Sequence, residues 1–195
     1  EFPFLLERQV LTLPGRITRL KGHLDFLQLM AKLVQTDLPV YGLIVGGEDP
    51  SRAGYMREIQ RRVKKLGLHG AVTFTGQRMD LRDIFAVSNV VFSLSAKPES
   101  FGRTVREALS LGVPVVAYDH GGVGDTLAQA YPPGRVPPGD LGALETTTRE
   151  LLQRPVDVAP CAFATVQDMV DQTLALYQEL AGYNRTGGMP RRDTL

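Results

Sequence analysis

The chain has 195 residues, of which 43% are hydrophobic and 22% are charged, so it is long enough to bury a core as one globular domain. Its 22 Lys and Arg residues nearly balance its 21 Asp and Glu residues, which leaves no bulk-charge argument for a nucleic acid partner. Cys161 is the single cysteine and cannot form an internal disulfide, and no apolar run approaches the roughly 20 residues that span a bilayer. Because no signal peptide stands at residues 1–4, we expect a cytoplasmic protein.

Short apolar or β-branched segments recur along the chain, and turns and segments of helical period follow them. The predicted strands span residues 10–13, 40–45, 72–74, 89–94 and 113–118. The predicted helices span residues 24–35, 55–66, 104–111, 141–152 and 166–180. This alternation predicts an α/β fold with a Rossmann-like, doubly wound parallel sheet of about six strands.

The predicted helix at residues 55–66 has an apolar stripe on one side and a basic set away from it. Such a set is most often a solvated helix face, and the alternative is contact with an acidic membrane. The basic residues are Arg57, Arg61, Arg62, Lys64 and Lys65.

A doubly wound sheet binds ligands beyond the carboxyl ends of its strands, where loops enter helices. The loops at this edge span residues 14–22, 46–49, 76–80, 97–104 and 120–125, and nearly all of them combine glycine with charged residues. Away from this edge, residues 132–139 predict a turn-rich connector and residues 182–195 a flexible tail.

The first of these loops places two cations, Arg16 and Lys21, around the start of a helix. Together with unpaired main-chain N–H groups, they are suited to hold a diphosphate and to neutralise the charge that develops when it leaves. The alternative is that one or both are surface cations.

Glu99 and Glu107 lie eight positions apart, with Gly102 between them. The N–H groups near Gly102, Arg103 and Thr104 have no partner within the predicted helix, and glycine lets a ligand approach the main chain. A carboxylate at position 107 can accept hydrogen bonds from two ribose hydroxyls, and Glu99, further out in the loop, would meet the sugar. Residues 104–107 also fit a capping box, in which Glu107 reaches back to the helix start.

Taken together, these segments resemble the C-terminal half of a retaining glycosyltransferase of family 4, which has the GT-B architecture of two facing Rossmann-like domains. The specific motif is the glutamate pair with Phe101-Gly102 inside it and residues 112–116 after it. The other matching segments are 13–16, 21–22, 43–47, 72–76, 119–122, 136–140 and 169–180.

The resemblance implies that Arg16 and Lys21 bind the donor diphosphate, that Glu107 binds the ribose and that Glu99 contacts hydroxyls of the transferred sugar. Arg16, Lys21 and Glu99 are then the catalytic set. Glycines and main-chain groups of the same loops complete the implied donor site, and residues 76–80 hold the base. Besides Glu107, these donor-binding residues are Gly15, Gly46, Gly47, Gly76, Arg78, Asp80, Phe101, Gly102, Arg103 and Thr104.

The implied reaction transfers a sugar from a UDP-, GDP- or ADP-sugar to an acceptor hydroxyl with retention, in bacterial lipopolysaccharide, polysaccharide or glycolipid synthesis. We expect neither a cofactor nor a metal, because the two cations neutralise the diphosphate. The alternative is a non-catalytic module that binds a nucleotide sugar. A dinucleotide-dependent oxidoreductase is disfavoured, because no Gly-x-Gly-x-x-Gly follows the first strand.

By the same resemblance, we expect residues 1–181 to form the donor domain, with a crossover helix near residues 166–180. An N-terminal acceptor domain of roughly 150 to 200 residues is then missing, and the fragment alone is expected to bind nucleotide without appreciable transfer. We expect the full-length protein to touch the inner face of the membrane. His120 is either a contact for the sugar or, as a lone loop histidine more often is, a local hydrogen-bonding residue.

Overall fold

The structure is a computed structural model that describes residues 7–48, 53–159, 163 and 166–186. The chain divides into two compact units, Glu1–Cys161 and Ala162–Leu195. Among the described residues, the first unit holds the sheet and six α-helices, and the second holds one α-helix.

The first unit is built on a six-stranded sheet with the order β3-β2-β1-β4-β5-β6, in which all neighbouring strands are parallel. This confirms the predicted α/β, doubly wound fold. The strands are β1 (Gln9–Pro14), β2 (Val40–Val45), β3 (Val72–Gly76), β4 (Val90–Ser93), β5 (Val115–Tyr118) and β6 (Arg135–Val136).

The helices of the first unit form two groups, since α1 contacts α2 and α6, whereas α4 contacts α3 and α5. Right-handed crossovers place one group on each face of such a sheet. The helices are α1 (His23–Leu33), α2 (Ala53–Lys65), α3 (Leu81–Ala86), α4 (Arg103–Ser110), α5 (Gly121–Ala130) and α6 (Leu141–Gln153).

Both faces of the sheet are covered, as strand β2 demonstrates. All of its residues are buried. Tyr41 and Leu43 pack in a cluster with Leu81 of α3, while the backbone of Gly42 faces Phe26 of α1. A strand with helices on both faces therefore has a continuous apolar sequence instead of an alternating one.

Two predicted irregular segments are partly regular in the structure. Residues 120–125 were predicted as a loop, but α5 begins at Gly121. A Cβ at Gly122 would lie 2.2 Å from the carbonyl oxygen of Ser100, so this poor helix former is required by close packing. The predicted connector at residues 132–139 contains a 3₁₀ turn (Pro132–Gly134) and β6, which pairs with β5. Helix α3 was not predicted.

The second unit contains helix α7 (Val166–Thr186). The predicted tail at residues 182–195 overlaps this helix at residues 182–186, where the helix continues through Gly182 at a cost of only about 1 kcal/mol relative to alanine. Residues 187–195 of the predicted tail lie outside the described residues. Within the described part of the chain, no helix has the length and hydropathy needed to cross a membrane.

Candidate functional site

The site lies where the strand order reverses, between β1 and β4. The loop that follows β1 and the loop that follows β4 face each other across this crevice, and Ala96 N donates to Leu20 O over 2.8 Å. A Cβ at Gly22 would lie 2.1 Å from Leu94 O, so the two loops are in direct main-chain contact.

Lys21 and Glu99 meet at this point. The Lys21 ammonium lies 2.5 Å from Oε1 of Glu99, and the two side chains are 34% and 24% exposed. The aliphatic stem of Lys21 crosses Gly15, whose missing Cβ would lie 3.3 Å from Cδ of the lysine. Two of the three predicted catalytic residues are therefore in contact, although they are far apart in the sequence.

Ser95 was missed in the sequence, and it is the second partner of Glu99. Its hydroxyl donates to Oε1 of Glu99, and its carbonyl oxygen accepts a hydrogen bond from Nε2 of His120 over 2.9 Å. Its position just after β4 was the available signal. Of the two interpretations of His120, the structure therefore supports the local hydrogen bond.

Glu99 is held ionised by these neighbours. Burial raises the pKa of its carboxyl, but hydrogen bonds from Lys21 and Ser95 and the positive charge of Lys21 oppose burial and bring the pKa below its usual value. A carboxylate in this state accepts hydrogen bonds from hydroxyl groups and donates none.

Arg16, the third predicted catalytic residue, is exposed on the loop after β1. Its guanidinium forms no hydrogen bond or ion pair with any residue that the structure describes. The main chain beside it is fixed, because Ile17 N donates to Gly47 O over 3.0 Å. Arg16 therefore combines an anchored backbone with a side chain that is available to an anion.

Gly46 and Gly47 were both predicted to let the main chain approach a nucleotide. Gly46 has a different requirement, since a Cβ there would lie 1.9 Å from the carbonyl oxygen of Gly15. At Gly47, a Cβ would meet Gln77 at 3.5 Å, which is an ordinary contact. Packing within the protein thus explains the glycine at position 46 and leaves the one at 47 unexplained.

Helix α4 begins beside Glu99 with uncapped N–H groups. Gly102 is its N-cap with φ +61°, and no side chain caps the helix. The N–H groups of Arg103 and Thr104 lie in the first turn, where the helix offers no acceptor. The Phe101 ring is 55% exposed and lies 4.1 Å from the Arg106 guanidinium carbon.

Glu107 does not form the capping box. Thr104 lies inside the first turn and is not the N-cap, and Glu107 forms no hydrogen bond or ion pair with a described residue. Its exposed side chain instead lines a cavity of about 420 Å³ between α3 and α4. The cavity is also lined by Met79, Leu81, Arg82, Phe85, Ser110 and Leu111.

The predicted base-side segment at residues 76–80 reaches this cavity through Met79. Arg78 and Asp80 pair with each other, with Nε to Oδ1 at 2.8 Å and Nη2 to Oδ2 at 2.6 Å. The hydrogen bonds from Arg78 lower the pKa of Asp80. Gly76 has φ +72°, a conformation that favours glycine at the end of β3.

The fold and site define an α/β, Rossmann-like domain whose charged loops lie at the switch point of a parallel sheet. Residues 3–158 match the family model described as glycosyl transferases group 1. The chain belongs to the glycosyl transferases group 1 family.

Curated relatives from several bacteria match this chain. The D-inositol 3-phosphate glycosyltransferase of Corynebacterium urealyticum is 37% identical over 130 residues, which are 64% of this chain and 30% of the relative. The mannosylfructose-phosphate synthase of Agrobacterium fabrum is 34% identical over 125 residues, or 62% of this chain and 27% of the relative. The chain thus spans about a third of the length of these relatives.

Solved structures with the same fold include glycosyltransferases of the GT-B architecture. The sucrose-phosphate synthase of Thermosynechococcus elongatus has a TM-score of 0.76 at 29% identity, covering 92% of this chain and 47% of that one. Anabaena HepE in complex with UDP and glucose has a TM-score of 0.72 at 26% identity, covering 77% of this chain and 40% of that one.

Proposed function

We propose that this chain is the donor-binding half of a retaining glycosyltransferase of family 4, which transfers a sugar from a nucleotide diphospho-sugar to an acceptor hydroxyl. The observation that carries the proposal is the Lys21 and Glu99 contact at the switch point, beside the uncapped start of α4. The UDP and glucose bound in the HepE structure support a donor of this class.

In this proposal, the diphosphate lies between the loop after β1 and the start of α4. Arg16 and Lys21 supply positive charge, and the N–H groups of Arg103 and Thr104 supply main-chain donors. These groups stabilise the negative charge that develops on the departing diphosphate, and they require no metal ion.

The two glutamates divide the rest of the donor. Glu107 accepts hydrogen bonds from the ribose hydroxyls, because its carboxylate is free on a cavity that extends to the base-side segment. Glu99 accepts hydrogen bonds from hydroxyls of the transferred sugar, because it is ionised and lies beside Lys21, which would hold the diphosphate.

The whole protein, in this proposal, carries a further domain that binds the acceptor and acts in bacterial lipopolysaccharide, polysaccharide or glycolipid synthesis. We place it in the cytoplasm at the inner face of the membrane. The basic side of α2 supports this location, because Arg57, Arg61, Lys64 and Lys65 are all exposed. Each such cation contributes about 1 kcal/mol near an anionic lipid surface.

The test is thermal unfolding with UDP, GDP and ADP, and with UDP-glucose, GDP-mannose and ADP-glucose. A ligand that binds the folded state raises the melting temperature, by an amount that grows with the ligand concentration. We expect one nucleotide and its sugar conjugate to raise it, and Arg16→Ala to reduce both shifts. The absence of any shift with all six ligands would contradict the donor site.

A further inference from the structure

We propose that Ser95 and His120 are positioning residues, which hold the Glu99 carboxylate in place while Lys21 turns from it to the donor diphosphate. The inference rests on the proposed function and adds to it the means by which the sugar is recognised. It begins from the contact between two residues that are both expected to bind the donor.

Lys21 and Glu99 neutralise each other across the crevice, at 2.5 Å between Nζ and Oε1. A diphosphate brings more negative charge to the ammonium than one carboxylate does, so donor binding competes for Lys21. Lys21 has a flexible stem and three N–H donors, which allow it to turn. Glu99 then loses its charged partner at the moment when it is needed to accept hydrogen bonds from the sugar.

Ser95 is the partner that remains. Its hydroxyl donates to the same oxygen, Oε1, and the residue is only 6% exposed, so its hydroxyl is held inside the protein. The hydroxyl is neutral and is not expected to follow the phosphate. The Ser95 contact therefore keeps Glu99 oriented after Lys21 has moved.

The start of α5 fixes Ser95 and the main chain of Glu99. Nε2 of His120 donates to the Ser95 carbonyl over 2.9 Å, and the imidazole packs edge-on against the Tyr118 ring. Gly122 N donates to the Glu99 carbonyl over 2.8 Å. Of the groups that hold Glu99, the Lys21 side chain is thus the one on a long flexible stem.

The test compares Ser95→Ala with the wild-type chain by isothermal titration. The probes are UDP, GDP and ADP and their conjugates UDP-glucose, GDP-mannose and ADP-glucose, and the pair that binds is carried forward. In Ser95→Ala, we expect the free nucleotide to keep its Kd within about twofold. The Kd of the conjugate rises about tenfold, the scale of one hydrogen bond to a charged group.

Two further variants separate positioning from general stability. Ser95→Thr keeps the hydroxyl and is expected to restore the binding of the conjugate. Ser100→Ala removes an exposed hydroxyl from the same loop and is expected to change neither Kd. If the role of Ser95 were merely structural, Ser95→Ala would weaken the binding of the nucleotide and of its conjugate equally, and that result would overturn the proposal.

His120 provides an independent arm in case Ser95→Ala does not fold. His120→Ala is expected to weaken the binding of the conjugate and not that of the free nucleotide. His120→Gln retains an N–H donor for the Ser95 carbonyl and is expected to weaken the binding of the conjugate less. If both variants keep the wild-type ratio of the two Kd values, the positioning role is refuted and the donor site stands. If the wild-type chain binds none of the six probes, the proposed function itself fails.

Discussion

Gly46 lies against the carbonyl oxygen of Gly15, with no room between them for a side chain. A Cβ at position 46 would lie 1.9 Å from that oxygen and 2.5 Å from the carbonyl carbon. The same two glycines also form main-chain hydrogen bonds: Gly15 N donates to Val45 O over 2.8 Å, and Gly46 N donates to Gly76 O over 2.9 Å. The loops after β1, β2 and β3 are therefore one hydrogen-bonded layer at the carboxyl edge of the sheet.

Gly46→Ala is expected to destabilise the protein by about 2–4 kcal/mol, because the new methyl group meets main-chain atoms that cannot rotate away. The measurement is urea unfolding of the variant and the wild type. Gly47→Ala is the matched control, since its Cβ would lie 3.5 Å from Gln77. We expect Gly47→Ala to unfold close to the wild type; equal destabilisation by the two variants would contradict the packing explanation.

The fold was predictable where burial determines the sequence pattern. Strand β2 was predicted at residues 40–45 and lies there, because helices cover both of its faces and make it continuously apolar. Helix α5 was not predictable from local propensity, because it begins with Gly121 and Gly122. The reason for these glycines is a contact with residues 99 and 100, which no local pattern reveals.

The sequence predicts which loops meet at this edge of the sheet, but not the contacts between their side chains. Topology places the loops of Lys21 and Glu99 at one edge of the sheet, as predicted, and the observed strand order adds that this edge is the switch point between β1 and β4. Their ion pair depends on the distance between the two side chains, which the order of predicted strands and helices does not give. Ser95 carries only the weak signal of its position just after β4, and a serine at the end of a buried strand usually has only a local role.

The glutamate pair yields a prediction on binding. Glu107→Ala is expected to weaken the binding of the nucleotide itself. It should leave the melting temperature nearly unchanged, because the Glu107 side chain pairs with no other described residue. Glu99→Ala is expected to spare the free nucleotide and to remove the discrimination for its sugar conjugate. Isothermal titration with UDP, GDP, ADP and their conjugates measures both effects.

Glu150→Ala is the control for the glutamate variants, because it removes the same charge from an exposed position of α6. It is expected to change neither binding nor melting temperature. If Glu107→Ala lowered the melting temperature while the nucleotide affinity stayed constant, Glu107 would have a stabilising role in the fold and no role in nucleotide binding.

His23 makes the fold sensitive to acid. Burial of the ring lowers its pKa from 6.5 to about 4; the hydrogen bond to the Thr18 carbonyl opposes this shift, and the charge of Lys21 adds to it. A lowered pKa means that the contribution to stability is fully present above pH 6.5 and is lost as the pH falls toward 4. The loss is on the order of 3 kcal/mol.

His23→Asn tests this prediction, because the amide retains an N–H for the Thr18 carbonyl and does not titrate. We expect the variant to be less stable than the wild type at pH 7, since it loses the ring contact with Tyr55. Its stability should also fall less than that of the wild type between pH 6.5 and 4. Urea unfolding at several pH values gives both results. If the free energy of unfolding of His23→Asn fell with decreasing pH as steeply as that of the wild type, other groups would cause the acid sensitivity. His69→Asn is the control, because it replaces an exposed histidine.

Tyr118 links the end of β5 to the first turn of α1, because its hydroxyl donates to Oδ2 of Asp25 over 2.7 Å. Burial raises the pKa of Tyr118, and the hydrogen bond and negative charge of Asp25 raise it further. A raised pKa means that the stabilising contribution is present below pH 10 and is lost as the pH rises above it. Burial also raises the pKa of Tyr55 and of Tyr131 to about 12, so stability is expected to fall between pH 10 and 12.

Tyr118→Phe is expected to lower the free energy of unfolding at pH 7 by about 1.5–3 kcal/mol, the range for a hydrogen bond to a charged group. Above pH 10, the difference from the wild type should narrow by up to about 1.4 kcal/mol per pH unit, because the variant no longer titrates at this position. Tyr177→Phe, at an exposed position of α7, should leave the stability at pH 7 unchanged. A difference between Tyr118→Phe and the wild type that stayed constant from pH 7 to 12 would contradict the coupling of Tyr118 to Asp25.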